Sequence, residues 1–223
     1  MSSLNALFIA GTGTDVGKTY VAVALVRALR ARGVAIDVLK PVISGFDESA
    51  PETSDTALLL AAMGEAVTTA AIGRVSPWRY RAPLAPDEAA RIEARTLDGP
   101  AVIELCLTRM AQSSGRLLVI EAAGGIMSPL DETHTMLDLV QALRVPMLLV
   151  AGSYLGTISH TLTAAAVIAA SAADLKAVVV SESSEGPAMG ATLAALRRRL
   201  TVPVAAVTRG GAIPEGLVEE IAD

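Results

Sequence analysis

The sequence predicts an α/β fold: a single domain over residues 1–223, built on one doubly wound, mostly parallel sheet with helices on both faces. Three observations carry that expectation. Short apolar runs bounded by turn residues alternate with longer segments of helical period, the pattern of parallel strands joined by helical crossovers. Of the 223 residues, 52% are hydrophobic but only 3% aromatic. The apolar content is therefore mostly Ala, Val, Leu and Ile, which suits strands buried on both faces. The first apolar run also leads through a Gly-rich turn straight into a helical pattern.

Residues 7–10 read as the first strand. From Lys18 onward Val21, Leu25, Val26 and Leu29 recur at helical spacing, until Gly33 stops the helix. Residues 35–39 read as a second strand, followed by the loop K-P-V-I-S-G-F-D. Either Thr53 or Ser54 can cap a short helix running to Met63. The Pro-containing segment 77–86 is expected to be irregular, and its Trp78 and Tyr80 either wall a ligand site or anchor the loop. Helices are expected at 87–95 and at 100–113, the second capped by Asp98 with Pro100 in its first turn. Residues 117–121 and 146–151 read as strands around a helix near 135–143. Strands at 177–181 and 202–207 alternate with helices at 159–172 and 187–199.

A net charge of -5 argues against a surface built for nucleic acid or acidic lipid. Cys106 is the only cysteine, so no internal disulfide forms; with Val102, Ile103 and Met110 it falls in a helical apolar pattern that points to the core. The amino terminus lacks a basic start, a long apolar stretch and a cleavage site, and no run reaches the length of a membrane helix. A cytoplasmic protein, with neither nucleic acid nor membrane as partner, is the expectation. His134 and His160 do not have metal-ligand spacing.

The strongest chemical signal is A-G-T-G-T-D-V-G-K-T, residues 10–19, between a strand and a helix. Glycines let the backbone aim several N–H groups at phosphate oxygens, and the start of the helix adds the positive end of its dipole. In this reading Gly13, Thr14, Asp15, Val16 and Gly17 wrap the phosphates, Lys18 bridges the β- and γ-phosphates, and Thr19 ligates Mg²⁺. The loop is a P-loop, although Gly11 and Gly13 straddle the usual place of its first glycine. Open α/β sheets place ligands at strand ends, where Lys40, Asp55 and Glu121 also fall. Thr19, Asp55 and Glu121 could supply the oxygens Mg²⁺ prefers; otherwise Asp55 is a helix-terminal charge and Glu121 a solvated strand end.

Together G-T-G-T-D-V-G-K-T, K-P-V-I-S-G, S-D-T, P-L-A-P, E-A-A-G-G, D-E-T-H-T-M-L-D and L-G-T-I-S-H resemble the dethiobiotin synthetases, over residues 7 to about 172. The resemblance implies a P-loop NTPase fold and a cyclo-ligase. Such an enzyme joins CO2 to 7,8-diaminononanoate as a carbamate, phosphorylates it with ATP to a mixed anhydride and closes a ureido ring. It implies ATP as co-substrate, Mg²⁺ held by Thr19, Asp55 and Glu121, and catalytic roles for Lys18, Lys40 and Thr14. Glu121 and Ser181 would also border the nucleotide, and Thr14, Lys40, Ser44, Gly124 and Gly125 the diamine or its carbamate. A homodimer is implied, in which the partner's 154–160 segment, with Tyr154 and the helix opening near Ser159, holds the distant substrate carboxylate. His160 then reads as structural or dimer-facing. The sequence departs from the family pattern at Asp15, where Glu is frequent, at Ala122, where Gly is usual, at Ser159, where Asn is usual, and at Ser181, where an adenine-reading Asn is common. A P-loop amidoligase of the cobyrinic acid amide synthase type would normally carry a glutaminase half, and a partition-type switch ATPase a second lysine early in the loop; the chain shows neither.

Overall fold

The first apolar run folds as β1 (Ala6–Gly11) and passes through the glycine-rich loop into α1 (Lys18–Ala31). The structure is a computed structural model that describes residues 5–184 and 186–222; residues 1–4, the beginning of the terminus read above as leader-free, lie outside them. After α1 come β2 (Ile36–Leu39), β3 (Val42–Ser44), a 3₁₀ turn at Pro51–Thr53, α2 (Asp55–Met63), α3 (Thr69–Val75), β4 (Trp78–Tyr80), α4 (Pro86–Ile92) and α5 (Gly99–Gln112). The second half alternates β5 (Leu117–Glu121), α6 (Met136–Leu143), β6 (Met147–Gly152), α7 (Thr157–Ala170), β7 (Leu175–Ser181), α8 (Met189–Arg197), β8 (Val204–Val207) and α9 (Glu215–Ala222).

Six strands form one parallel sheet in the order β2-β5-β1-β6-β7-β8, the doubly wound arrangement the alternation predicts. β1 sits between β5 and β6, and the sheet grows outward from it in both directions. The crevice at its carboxyl end is the place where such sheets take ligands. Along each strand successive side chains serve opposite layers. Leu7 and Ile9 pack with Val21, Leu25 and Leu29 of α1 and Leu217 and Ile221 of α9. Ala6, Phe8 and Ala10 pack on the other face with Val102 and Cys106 of α5, Val140 of α6 and Ile168 of α7. Cys106 is fully buried, and that burial pushes its thiol up to about 12, so it is an inert core residue as expected. Among the described residues no helix is long and apolar enough to cross a membrane.

Several expectations need correction. The loop after Lys40 and the segment 77–86 each contain a three-residue strand, and β3 and β4 pair in parallel as a second small sheet. Tyr80 is buried there under the Arg95 guanidinium, 4.5 Å from its ring centroid, and neither it nor Trp78 lines the main cavity; both anchor the segment. α3 and α9 are helices the reading along the chain did not place. Ser54, not Thr53, caps α2, its hydroxyl accepting from the Ala57 N–H at 3.1 Å. The helix expected from residue 159 begins at Thr157, and the one expected from 187 begins at Met189.

The Asp131 carboxylate ties the start of α5 to the loop before α6. It accepts backbone N–H bonds from Gly99 at 2.7 Å, His134 at 2.7 Å and Thr133 at 2.8 Å. Burial opposes its ionisation, but these donors and the His134 ring outweigh it and hold the carboxyl well below the usual carboxylate range. A carboxyl depressed in the fold contributes stability above its unfolded pKa and loses it as the pH falls below that value. Asp131→Ala should therefore lower the unfolding free energy by about 2 kcal/mol at neutral pH. Urea titrations should show the gap from the parent protein narrowing as the pH drops below about 4.

Candidate active site at the carboxyl edge of the sheet

α1 opens without a side-chain cap, as do α4, α7 and α8, and of these α1 follows the glycine-rich loop. α2, α5 and α6 are capped by the side chains of Ser54, Asp98 and Thr135, whereas α1 starts at Gly17 with no side-chain cap. The first N–H groups of a 14-residue helix are thus left for a ligand. Gly17 has φ 92°, and a Cβ there would collide with the Ser181 hydroxyl. Only glycine meets both conditions. On the other flank, the turn after β5 packs against the loop: a Cβ on Gly125 would come within 3.2 Å of the Gly13 backbone. The Ile126 N–H donates to the Gly11 carbonyl at 2.8 Å, which fastens the two segments together.

Lys18 lies at the base of this loop, buried, with its ammonium donating to the Gly13 carbonyl at 2.8 Å. Burial is the main cause, and the neighbouring charge of Lys40 the next, of a pKa lowered to about 8. The carboxylates of Glu121, Asp55 and Asp15 act in the opposite sense.

Lys40 follows β2 directly. The parallel register sets Leu39 opposite Ile120 and so brings the next residue, Lys40, beside Glu121. The ammonium donates to Glu121 Oε1 and Asp55 Oδ2, both at 2.6 Å, and lies 3.5 Å from Thr19 Oγ1. Thr19 donates in turn to Glu121 Oε1 at 2.6 Å. Burial alone would lower the pKa of Lys40; Glu121 first and Asp55 second outweigh it and hold the value above that of an ordinary lysine. Asp55 is held low, burial being overcome by the charge of Lys40.

Thr19, Asp55 and Glu121, expected as metal ligands, are therefore brought to one point. The set consists of one hydroxyl and two carboxylates, all hard oxygens, and Glu121 Oε2 is buried without a hydrogen-bond partner. Such a donor set fits Mg²⁺, which takes one or two carboxylates alongside phosphate and water oxygens. Among the described residues no cluster of three or more His, Cys, Asp or Glu side chains could cage a metal unaided.

Above this cluster opens a cavity of about 590 Å³ that reaches Thr14, Lys18, Lys40, Ser44 and Gly124. The Ser44 hydroxyl is buried and unpartnered. Pro83–Pro86, Ile43 and Ser128 also line the cavity, residues to which the sequence gave no role beyond the P-L-A-P segment. Tyr154 and Ser159 lie away from this cavity, with the Tyr154 hydroxyl 2.8 Å from His160 Nδ1. Ala122 does not strain the turn, because the positive φ there falls at Gly124. Asp15 takes a left-handed conformation at φ 56°, which aspartate tolerates better than most residues.

A phosphate loop, a buried lysine between two carboxylates and an adjoining substrate-sized cavity form the geometry against which relatives can be compared. The AAA domain family model matches residues 5–213. The chain is similar to an ATP-dependent dethiobiotin synthetase of Caulobacter sp. (strain K31), 46% identical over 97% of this chain and 96% of that protein. It is also similar to one from Methylobacterium nodulans, 50% identical over 96% of this chain and 98% of that protein. This chain belongs to the ATP-dependent dethiobiotin synthetase family. The fold is shared more widely: the signal recognition particle receptor FtsY of Elizabethkingia anophelis superposes with a TM-score of 0.55 at 16% identity, over 100% of this chain and 67% of that one.

As a member of this synthetase family, the chain should show a pH-linked affinity for nucleotide. Phosphate oxygens placed beside Lys18 would favour its ammonium form, so binding there would draw a proton onto Lys18 wherever the free protein has lost it. Affinity for ATP should fall as the pH rises through about 8, by up to about tenfold per pH unit. Calorimetry in two buffers of different ionisation heat should show net proton uptake just above that pH. Affinity that stays level across this range contradicts the account.

Proposed function

We propose that the chain converts 7,8-diaminononanoate, CO2 and ATP to dethiobiotin, ADP and phosphate, working in the cytoplasm as one P-loop domain within a homodimer. The observation that carries this reading is the Lys40 ammonium, buried at the floor of the cavity and kept charged by Glu121 and Asp55. A lysine held above its ordinary pKa is not a general base. Its use is electrostatic, and the reaction needs that: the carbamate and the carbamic–phosphoric anhydride are both anionic, and Lys40 offsets their charge at a fixed point. The free Ser44 hydroxyl, which lines the same cavity, suits a hydrogen bond to a carbamate oxygen.

Lys18 and the N–H groups of residues 13–19 would hold the β- and γ-phosphates in line with the carbamate oxygen, with Thr14 between phosphate and substrate. Thr19, Asp55 and Glu121 would hold Mg²⁺, which supplies neutralisation of phosphate charge. Gly124 and Gly125 would border the diamine. Ring closure then requires only that the second amine reach the anhydride carbon and expel phosphate, so no covalent bond to the protein is needed.

The homodimer reading is supported by α7, the other 14-residue helix that opens without a side-chain cap. Its N-cap is Gly156, and Leu155 beside it is 91% exposed. A neighbouring subunit there would bury Leu155, and the backbone N–H groups of Ile158 and Ser159, rather than the Ser159 side chain, would receive the substrate carboxylate; the Thr157 N–H already donates to the Tyr154 carbonyl at 3.2 Å.

The direct test incubates the protein with diaminononanoate, bicarbonate, Mg²⁺ and ATP and follows dethiobiotin by mass spectrometry. Product is expected, and no product with a folded, ATP-binding protein rejects the reading. Lys18→Ala should abolish turnover. Lys40→Met should lower kcat by about 10²–10³-fold with little change in KM for ATP. Because it strands a buried carboxylate at a cost of about 3–5 kcal/mol, its folding should be checked by circular dichroism. An unchanged kcat removes Lys40 from the chemistry.

A further inference from the structure

On the side of the phosphate loop away from Lys40 lies a second cavity, of about 410 Å³, whose walls are the loop itself, the start of α1 and the turns after β7 and β8. The two cavities share Asp15, Gly17 and Tyr20. A triphosphate laid along the loop, with its last phosphate towards Lys40, therefore delivers its nucleoside into the second cavity.

Among the described residues, no side chain there carries the paired amide donor and acceptor that reads the edge of adenine. Ser181 is 5% exposed and wedged against Gly17, so it supports the loop. Glu182 spends Oε2 on the Arg209 N–H at 2.8 Å. Among the described residues no Asn or Gln lines the cavity, and Asp15, Ser183, Ser184 and Arg209 complete its polar wall. What the cavity does have is an aromatic ring. Tyr20, in the first turn of α1, is 38% exposed, and its hydroxyl donates to the Thr208 carbonyl at 3.0 Å. The ring is thus tethered at both ends, to α1 through its backbone and to the segment after β8 through its hydroxyl. A large ring kept part-exposed and held still beside a nucleoside-sized space is suited to stacking.

We propose that Tyr20 is the stacking wall for the nucleobase, and that this site takes nucleoside triphosphates by ring face rather than by base edge. The proposal rests on the assignment of the loop to phosphate binding, and deepens it by naming what holds the other end of the nucleotide. Every base has a π-face, so recognition by stacking is tolerant of base identity.

The test measures binding without diamine, so its outcome is independent of whether the ring-closing reaction is correct. Titration calorimetry compares Mg²⁺-ATP with Mg²⁺-tripolyphosphate on the unaltered protein, Tyr20→Ala and Tyr20→Phe. Tyr20→Ala should weaken ATP about tenfold and leave tripolyphosphate unchanged, while Tyr20→Phe retains most of the affinity. On the unaltered protein ATP, GTP and CTP should bind within about tenfold of one another. Unaltered ATP affinity in Tyr20→Ala, equal losses for both ligands, or a preference of about a hundredfold or more for one base each overturns the proposal. An unaltered protein that binds neither ligand overturns the phosphate-site assignment beneath it.

Discussion

A lysine ammonium buried between two carboxylates is the constraint on which the rest of the structure depends. Lys40 and Glu121 are 4% and 1% exposed, and a charge taken that far from water is tolerable only when paired. Satisfying it requires β2 to lie beside β5 in one register, with Leu39 opposite Ile120, and α2 to begin where Asp55 meets the same ammonium. Thr19 completes the group from the first turn of α1. Four segments of the chain, α1, β2, α2 and β5, are thereby fixed around one point. Such a pair adds little net stability over apolar packing, but a shift of register that separated it would strand a buried charge. The arrangement is thus better explained by the chemistry it prepares than by the stability it contributes.

The same cluster sets the electrostatics of its neighbours. Lys40 remains cationic because Glu121 and Asp55 surround it, and its charge, after burial, is what weakens the hold of Lys18 on its proton. Two lysines a short way apart are thus given different characters. One keeps its charge at the main cavity; the other holds its proton less tightly than an ordinary lysine. The loop that carries Lys18 is held from both flanks by close backbone approaches at Gly17 and Gly125, so its donors keep their positions before any ligand enters.

Much of this was legible in the sequence, for local reasons. β5 and α1 carry long apolar patterns with clear stops, and both are found where expected. The phosphate loop is read from glycine spacing between a strand and a helix, which is a local feature. β3 and β4 were not legible: at three residues each they have no periodicity, and only their pairing with one another makes them strands. α3 contains Gly73 and is too short to show a face. α9 did carry a signal, since Leu217, Val218 and Ile221 share one side, but its acidic residues masked it. At the site, Lys40, Asp55 and Glu121 were named individually from their positions at strand and helix ends. That a single ammonium would meet both carboxylates was not readable, because the partners lie 15 and 81 residues away. Ser181 was named only as bordering the nucleotide; the direction of its side chain, against Gly17, is set by packing between distant segments.

The measurement that bears most directly on the central claim is a crystal structure with Mg²⁺ and a non-hydrolysable ATP analogue. The account predicts the metal ion beside Thr19, with Glu121 and Asp55 bound to it directly at about 2.0–2.1 Å or through one ordered water, and Lys40 still in contact with at least one of the two carboxylates. A metal ion held elsewhere, with both carboxylates turned away from it, would contradict the account.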